Sequence, residues 1–152
     1  MKCWHPSTCK STPERHSFNS ICPTTVSQSD LLCLSTSARR AQKGGQIVNV
    51  ASVAGLQGYG NEAIYCSSKF AQMGLTQALD REFWKEGIKV SAVCPGGVET
   101  HFALGDGRSV GSERMQGFST AEDVAEAVVM AALPRERSRI VNIILRPMNE
   151  ET

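Results

Sequence analysis

An α/β fold on a parallel sheet is predicted by three features of this 152-residue chain. From Gly44 onward, β-branched runs alternate with helix-length segments in the order strand, helix, strand, helix, strand. Each element ends on a chain-breaking signal, at Gly87, at Pro95-Gly96-Gly97 and at Pro134. The length suits one domain and, if all of it folds, a usable core. Such an order implies right-handed crossovers between neighbouring parallel strands.

The elements follow in order. "QIVNVAS", after Gly44-Gly45, reads as a short buried strand. Residues 62–86 have helical character, with Phe70, Met73, Ala78 and Leu79 able to share a face and Gly87 as the C-terminal stop. "IKVSAVCPGG" is a second strand, ended by Pro95 and two glycines. "STAEDVAEAVVMAAL" opens with Ser119 and Glu122 at the spacing of a capping box, and Val124, Val128 and Ala132 continue it at helical spacing. "RIVNIIL" is a third strand.

Residues 1–43 differ. They are rich in Ser, Thr, Cys and Pro, punctuated by Pro6, Pro13 and Pro23, and lack helical or strand periodicity. Such a segment buries too little apolar area to offset its ordering entropy, so it is expected to be a disordered extension, with at most a short helix around "DLLCLSTSARRAQ". Its basic, acid-poor character also fits a transit peptide, but no amphipathic arginine-bearing helix supports that reading. The domain is expected to span residues 44–152.

Composition excludes several classes. The net charge of +1 gives no electrostatic case for nucleic acid or an anionic membrane. No apolar run is long enough to span a bilayer. The six cysteines contain no C-x-x-C pair and no metal site is expected; Cys66 and Cys94 read as small buried residues. No secretory apolar core follows Met1, so a cytoplasmic location is expected.

Ligands of open parallel sheets sit beyond the carboxyl ends of the strands. Ser52 lies just past the first strand, Pro95-Gly96-Gly97-Val98-Glu99-Thr100 just past the second, and Tyr65 and Lys69 begin the helix between them. Taken singly, Ser52 reads as a turn residue, Tyr65 and Lys69 as packing plus a solvated charge, and Pro95-Gly96-Gly97 as a turn. Together, "IVNVASVAG", "YCSSK" and "PGGVET" resemble the classical short-chain dehydrogenase/reductase family over roughly residues 44–148. Ser52 precedes Tyr65 by thirteen positions, and Tyr65-x-x-x-Lys69 matches the family's Y-x-x-x-K motif.

That resemblance implies a partial Rossmann-type sheet, comprising the last three strands with flanking helices. It implies NAD or NADP as cofactor and a small carbonyl or alcohol as substrate. Ser52, Tyr65 and Lys69 would be catalytic. Tyr65, Lys69, Pro95, Gly96, Val98 and Thr100 would bind the cofactor. Free tyrosine, with a pKa of about 10, is a poor acid or base near neutrality, and an ammonium one helical turn away favours the phenolate. Tyr65 would then exchange a proton with the substrate oxygen while Ser52 holds that oxygen. Lys69 would also hold the nicotinamide ribose hydroxyls, Val98 the carboxamide through its backbone, and Thr100 the phosphate side.

The family's T-G-x-x-x-G-x-G turn, which cradles the pyrophosphate at a helix N-terminus, has no counterpart in these 152 residues, and neither has its N-N-A-G segment or its catalytic asparagine. The N-terminal half of the fold is therefore expected to be missing. A truncated gene model or splice form, a fragment that pairs with another chain, and a decayed enzyme all fit; the abrupt change near Lys43 favours the first. A three-strand remnant should expose an apolar edge and one bare face, suited to a homo-oligomer or to pairing with another chain. A non-catalytic role through protein contacts is the alternative to an enzyme. A Ser or Cys hydrolase fits poorly, because no G-x-S-x-G elbow is present.

Overall fold

A computed structural model describes residues 36, 38–100, 116–133 and 135–150. The expected disorder of the tail falls almost wholly outside these residues, as does Pro134. Residues 36 and 38–41 are helical, within the "DLLCLSTSARRAQ" stretch where a short helix is expected.

Three strands, β1 (Gly45–Val50), β2 (Ile88–Pro95) and β3 (Asn142–Leu145), form a parallel sheet in the order β1-β2-β3. The register runs from Gly45↔Ile88 to Val50↔Val93 and from Ala92↔Asn142 to Pro95↔Leu145. Helix α1 (Ala63–Phe83) connects β1 to β2 and α2 (Ala121–Ala132) connects β2 to β3. β2 is the central strand, with Ile88, Val90, Ala92, Val93 and Cys94 all fully buried. Gly45–Val50 pairs only with β2, so among the described residues β1 stands at an edge of the sheet.

The helices occupy opposite faces. Met73 of α1 packs with Ala51, Ala92 and Cys94 on one side. Ala127 and Ala131 of α2 pack with Val93 on the other, joined by Val48, Val124, Val128 and Ile143. This overturns two expectations. Neither face of the sheet is bare throughout, but the α1 side of β3 is uncovered, with Asn142 and Ile144 exposed, and Val50 is 46% exposed on the α2 side. And because the strands step in one direction while the helices lie on opposite faces, the two crossovers have opposite hands, so they cannot both be right-handed. The right-handed rule describes compact β-α-β units. Here residues 96–120 separate β2 from α2, so this connection is not a compact unit of that kind.

Helix faces and caps also differ from the sequence reading. The buried positions of α1 are Cys66, Gln72, Met73, Thr76 and Asp80, whereas Phe70 is 47% exposed and Ala78 is exposed. Polar residues take the inner face because each finds a partner there. Asn49 Nδ2 donates to Thr76 Oγ1 at 2.8 Å, Thr76 Oγ1 donates to the Gln72 carbonyl at 2.8 Å, and Asp80 accepts two bonds from Arg139 at 2.7 and 3.1 Å. The capping box of α2 is Thr120 with Asp123, one residue later than the Ser119–Glu122 reading. Ser119 is already committed to a parallel bridge with Val98. Gly87 ends the α1 region in the left-handed conformation, with φ 78°, as its sequence position implies. β3 starts later than "RIVNIIL" suggested. The chain ahead of it is tied by the Ala92 N–H, which donates to the Val141 carbonyl at 2.9 Å, and by side chains: Ser91 Oγ donates to the Ile140 carbonyl at 2.6 Å, Lys89 Nζ to the Ser138 carbonyl at 3.0 Å, and Arg139 to Asp80.

Candidate active site

β1 ends at Val50 and the chain turns at once into a short 3-10 turn, Val53–Gly55, capped by Ser52. Ser52 is buried, and its Oγ accepts the Ala54 N–H at 3.1 Å. That bond uses a lone pair, so the hydroxyl hydrogen remains to be donated. The turn rests on α1: a Cβ at Gly55 would lie 2.8 Å from the Lys69 carbonyl oxygen and 2.8 Å from Met73 Cγ. Only glycine lets the Ser52 turn sit this close to the helix at Lys69.

Tyr65 and Lys69 lie one turn apart near the start of α1, and both are half-buried. Lys69 Nζ is 5.7 Å from the Tyr65 ring centroid and donates to Gln72 Oε1 at 3.2 Å. Gln72 in turn donates Nε2 to the Val50 carbonyl at 3.1 Å, which fixes its amide so that the oxygen faces Lys69. Gln72 was missed by the sequence reading. Its signal is the i+3 position after Lys69, where a side chain shares the lysine's helix face.

Burial lowers the Lys69 pKa from its ordinary value, and the nearby Cys94 partly offsets this. Burial likewise raises the Cys94 thiol pKa, against the pull of the Ser52 backbone N–H and of Lys69. Ser52 and Cys94 stand at the carboxyl ends of β1 and β2, and the Ser52 turn packs on α1 at Lys69. Cys94 is fully buried, 3.5 Å from Met73 Sδ, and serves packing. Cys66 is also buried, as its reading as a small buried residue implies, and its sulfur accepts the Tyr59 N–H at 3.4 Å.

A half-buried ammonium weakens the fold. The folded-state pKa of Lys69 lies below the unfolded one, so the penalty on its charged form is fully present at pH 7 and is relieved as pH climbs through the folded value toward 10.5. Lys69→Met is therefore expected to leave the melting temperature level or raised at pH 7, with the difference from wild type narrowing toward pH 10. A fall of more than about 4 °C at pH 7 would instead give the ammonium a structural role.

The remaining predicted positions line the turn after β2. Pro95 is buried as the last residue of that strand, and the Gly96 N–H donates to the Leu145 carbonyl at 2.7 Å. Ser119 donates its N–H to the Gly97 carbonyl at 3.1 Å and accepts the Glu99 N–H at 2.9 Å. In such a parallel bridge the residue between the two bonded neighbours turns its own N–H and C=O to the other side, here Val98. Val98 thus presents one donor and one acceptor side by side. Thr100, half-buried, follows two residues after Val98. The glycines are closely packed: a Cβ at Gly97 would lie 2.9 Å from the Phe118 ring, and one at Gly96 would run into the Glu150 carboxylate. Among the described residues no group of three or more His, Cys, Asp or Glu could hold a metal, and no helix is long and apolar enough to cross a membrane.

The sequence profile of the short chain dehydrogenase family matches residues 17–107, beginning inside the Ser/Thr-rich segment. A monensin polyketide synthase putative ketoacyl reductase from Streptomyces virginiae is 40% identical over 97 residues, covering 64% of this chain and 34% of that protein. The ketoacyl reductase HetN from Nostoc is 38% identical over 98 residues, with 64% and 34% covered. Among solved structures, a betaketoacyl-[ACP] reductase (FabG) from Bacteroides thetaiotaomicron superposes with a TM-score of 0.64 at 30% identity, covering 80% of this chain and 49% of that one. 4-Hydroxyisoleucine dehydrogenase complexed with NADH gives 0.61 at 28% identity, with 78% and 53% covered. The chain spans about a third of the length of these curated relatives and about half of the solved chains.

Proposed function

The chain belongs to the short chain dehydrogenase family, and from that premise we propose that it carries the proton-transfer and nicotinamide-holding part of an NAD- or NADP-dependent oxidoreductase acting on a carbonyl or alcohol. The observation that carries this reading is the Lys69 ammonium, half-buried beside the Tyr65 ring and aimed by Gln72, next to the Ser52 turn.

The residues present fit the nicotinamide end of such a cofactor. The outward N–H and C=O of Val98 match the acceptor and donor of a carboxamide. Lys69 has three donors, of which the bond to Gln72 uses one, so it can also hold ribose hydroxyls. Thr100 stands on the phosphate side. When bound, the nicotinamide supplies or accepts the hydride.

The rest is the work of this chain. Tyr65 gives its phenolic proton to the substrate oxygen during reduction and takes one back during oxidation. Ser52 donates its hydroxyl hydrogen to the same oxygen and fixes its position. Lys69 stabilises the phenolate that remains on Tyr65. The ketoacyl reductases among the relatives support a ketone or ketoacyl group as the substrate class.

The test is a reductase assay on a panel of ketones, aldehydes and β-ketoacyl thioesters at millimolar NADH and NADPH. Slow turnover is expected, and it should disappear in Tyr65→Phe. A rate that Tyr65→Phe leaves intact overturns the assignment.

A second reading, a non-catalytic chain acting through protein contacts, draws on the edge of β1, unpaired among the described residues, and on exposed apolar residues of α1, with Ile64 87% exposed. A chain that binds nicotinamide without turning over any carbonyl favours this reading.

A further inference from the structure

The segment after β3 reaches back to the turn after β2. Glu150 Oε2 accepts the Gly97 N–H at 3.0 Å, and Glu150 Oε1 pairs with Arg146 Nη1 at 2.8 Å. Both side chains are largely shielded, with 18% of the Arg146 side chain and 20% of the Glu150 side chain exposed. The carboxylate therefore makes a charge-assisted bond to a backbone amide while a guanidinium holds its other oxygen, an arrangement stronger than a neutral pair. Two further bonds set the segment itself: the Glu150 N–H donates to the Pro147 carbonyl at 3.1 Å, and Asn149 Nδ2 donates to the Gln116 carbonyl at 2.9 Å.

The second glycine of the turn is gripped at both polar atoms, its N–H by Glu150 and its C=O by Ser119. Gly96 has no side chain where one would collide with the carboxylate. The Gly-Gly pair thus admits a carboxylate from the far end of the chain. Gly97 directly precedes Val98: Glu150 holds the Gly96–Gly97 peptide and Ser119 holds the Gly97–Val98 peptide that carries the Val98 N–H, so together they fix both sides of the Gly97 Cα and with them the direction of that N–H.

We propose that Glu150, braced by Arg146, is a positioning residue that locks the Gly96–Gly97 turn so that the Val98 backbone N–H and C=O are presented to the nicotinamide carboxamide. The inference rests on the cofactor reading above. Glu150 touches neither cofactor nor substrate in this role; it acts through the Gly96–Gly97 peptide, next to the Gly97–Val98 peptide that Ser119 holds. Gln at position 150 keeps a neutral acceptor and is expected to retain part of the effect, whereas Ala keeps none.

The test compares wild type, Glu150→Gln and Glu150→Ala by amide hydrogen exchange and by binding of reduced nicotinamide mononucleotide, followed by its fluorescence. Loss of a charge-assisted bond should speed Gly97 exchange by about tenfold or more in Glu150→Ala and less in Glu150→Gln. The Gly96 amide, held by Leu145, should exchange at the wild-type rate in both variants, which separates release of the turn from loss of the fold. Affinity for the mononucleotide should fall about tenfold in Glu150→Ala, with partial rescue in Glu150→Gln. Unchanged Gly97 exchange in Glu150→Ala overturns the lock. Faster Gly97 exchange with full affinity overturns its role in binding. A wild-type chain that does not bind the mononucleotide, while Gly97 exchange responds as expected, overturns the cofactor reading and leaves the lock a purely structural feature.

Discussion

Titrated with NADH or NADPH, the purified 152-residue chain is expected to bind in the millimolar range. Family-type dinucleotide binding draws on a Gly-rich turn whose amides and helix N-terminus receive the pyrophosphate, and on a residue that reads the adenosine ribose. No such turn occurs in the 152 residues. The groups that fit the cofactor, Lys69, Val98 and Thr100, all serve its nicotinamide end. Each missing charge-assisted hydrogen bond is worth about 1.5–3 kcal/mol, so three of them weaken binding by roughly a thousandfold to a millionfold. Turnover at physiological cofactor levels should then be negligible, however well Tyr65 is placed, and should emerge only at millimolar cofactor. Micromolar affinity, with turnover abolished by Tyr65→Phe, would overturn this expectation. It would mean that residues 1–43 or a second copy of the chain complete the adenosine side.

The second large effect concerns the strand that carries the turn to the site. Val93 is fully buried on the α2 face of β2, among Ala127, Ala131, Val48, Val124, Val128 and Ile143. Aspartate there would bury a carboxylate with no partner, at about 4 kcal/mol or more. A sheet of three strands with two helices has a small core and little stability in reserve. Val93→Asp is expected to leave the chain unfolded at 25 °C, without the cooperative urea transition of wild type. Val50, Val93's register partner on the same face, provides the contrast. It is 46% exposed at the edge, so Val50→Asp should cost no more than about 1 kcal/mol. A folded Val93→Asp, or a Val50→Asp as damaging as the change at Val93, would mean that α2 does not cover the sheet where the structure has it.

What the sequence determined by itself is whatever local pattern encodes. β-Branched runs placed the three strands to within a few residues, because an extended chain with buried side chains on both faces needs such residues over a short length. Gly87, Pro95 and the two glycines after it marked the ends, because each restricts or frees the backbone at its own position. The spacing from Ser52 through Tyr65 to Lys69 was legible for the same reason: a strand-end turn and one helical turn are both local lengths.

Tertiary structure decided the rest. The inner face of α1 could not be read from hydrophobicity, because Gln72, Thr76 and Asp80 are buried by partners at Val50, Asn49 and Arg139, none of them on the helix. The face taken by α2, and with it the hand of the second crossover, is set by the packing of Ala127 and Ala131 on Val93, contacts between residues far apart in the chain. The grip of Glu150 on Gly97 joins residues 53 positions apart. A hydrogen bond of that kind leaves no mark in local spacing; it exists only because parallel strands bring the end of β2 beside the end of β3, where a carboxylate meets an amide that a side chain on Gly96 would have shut away.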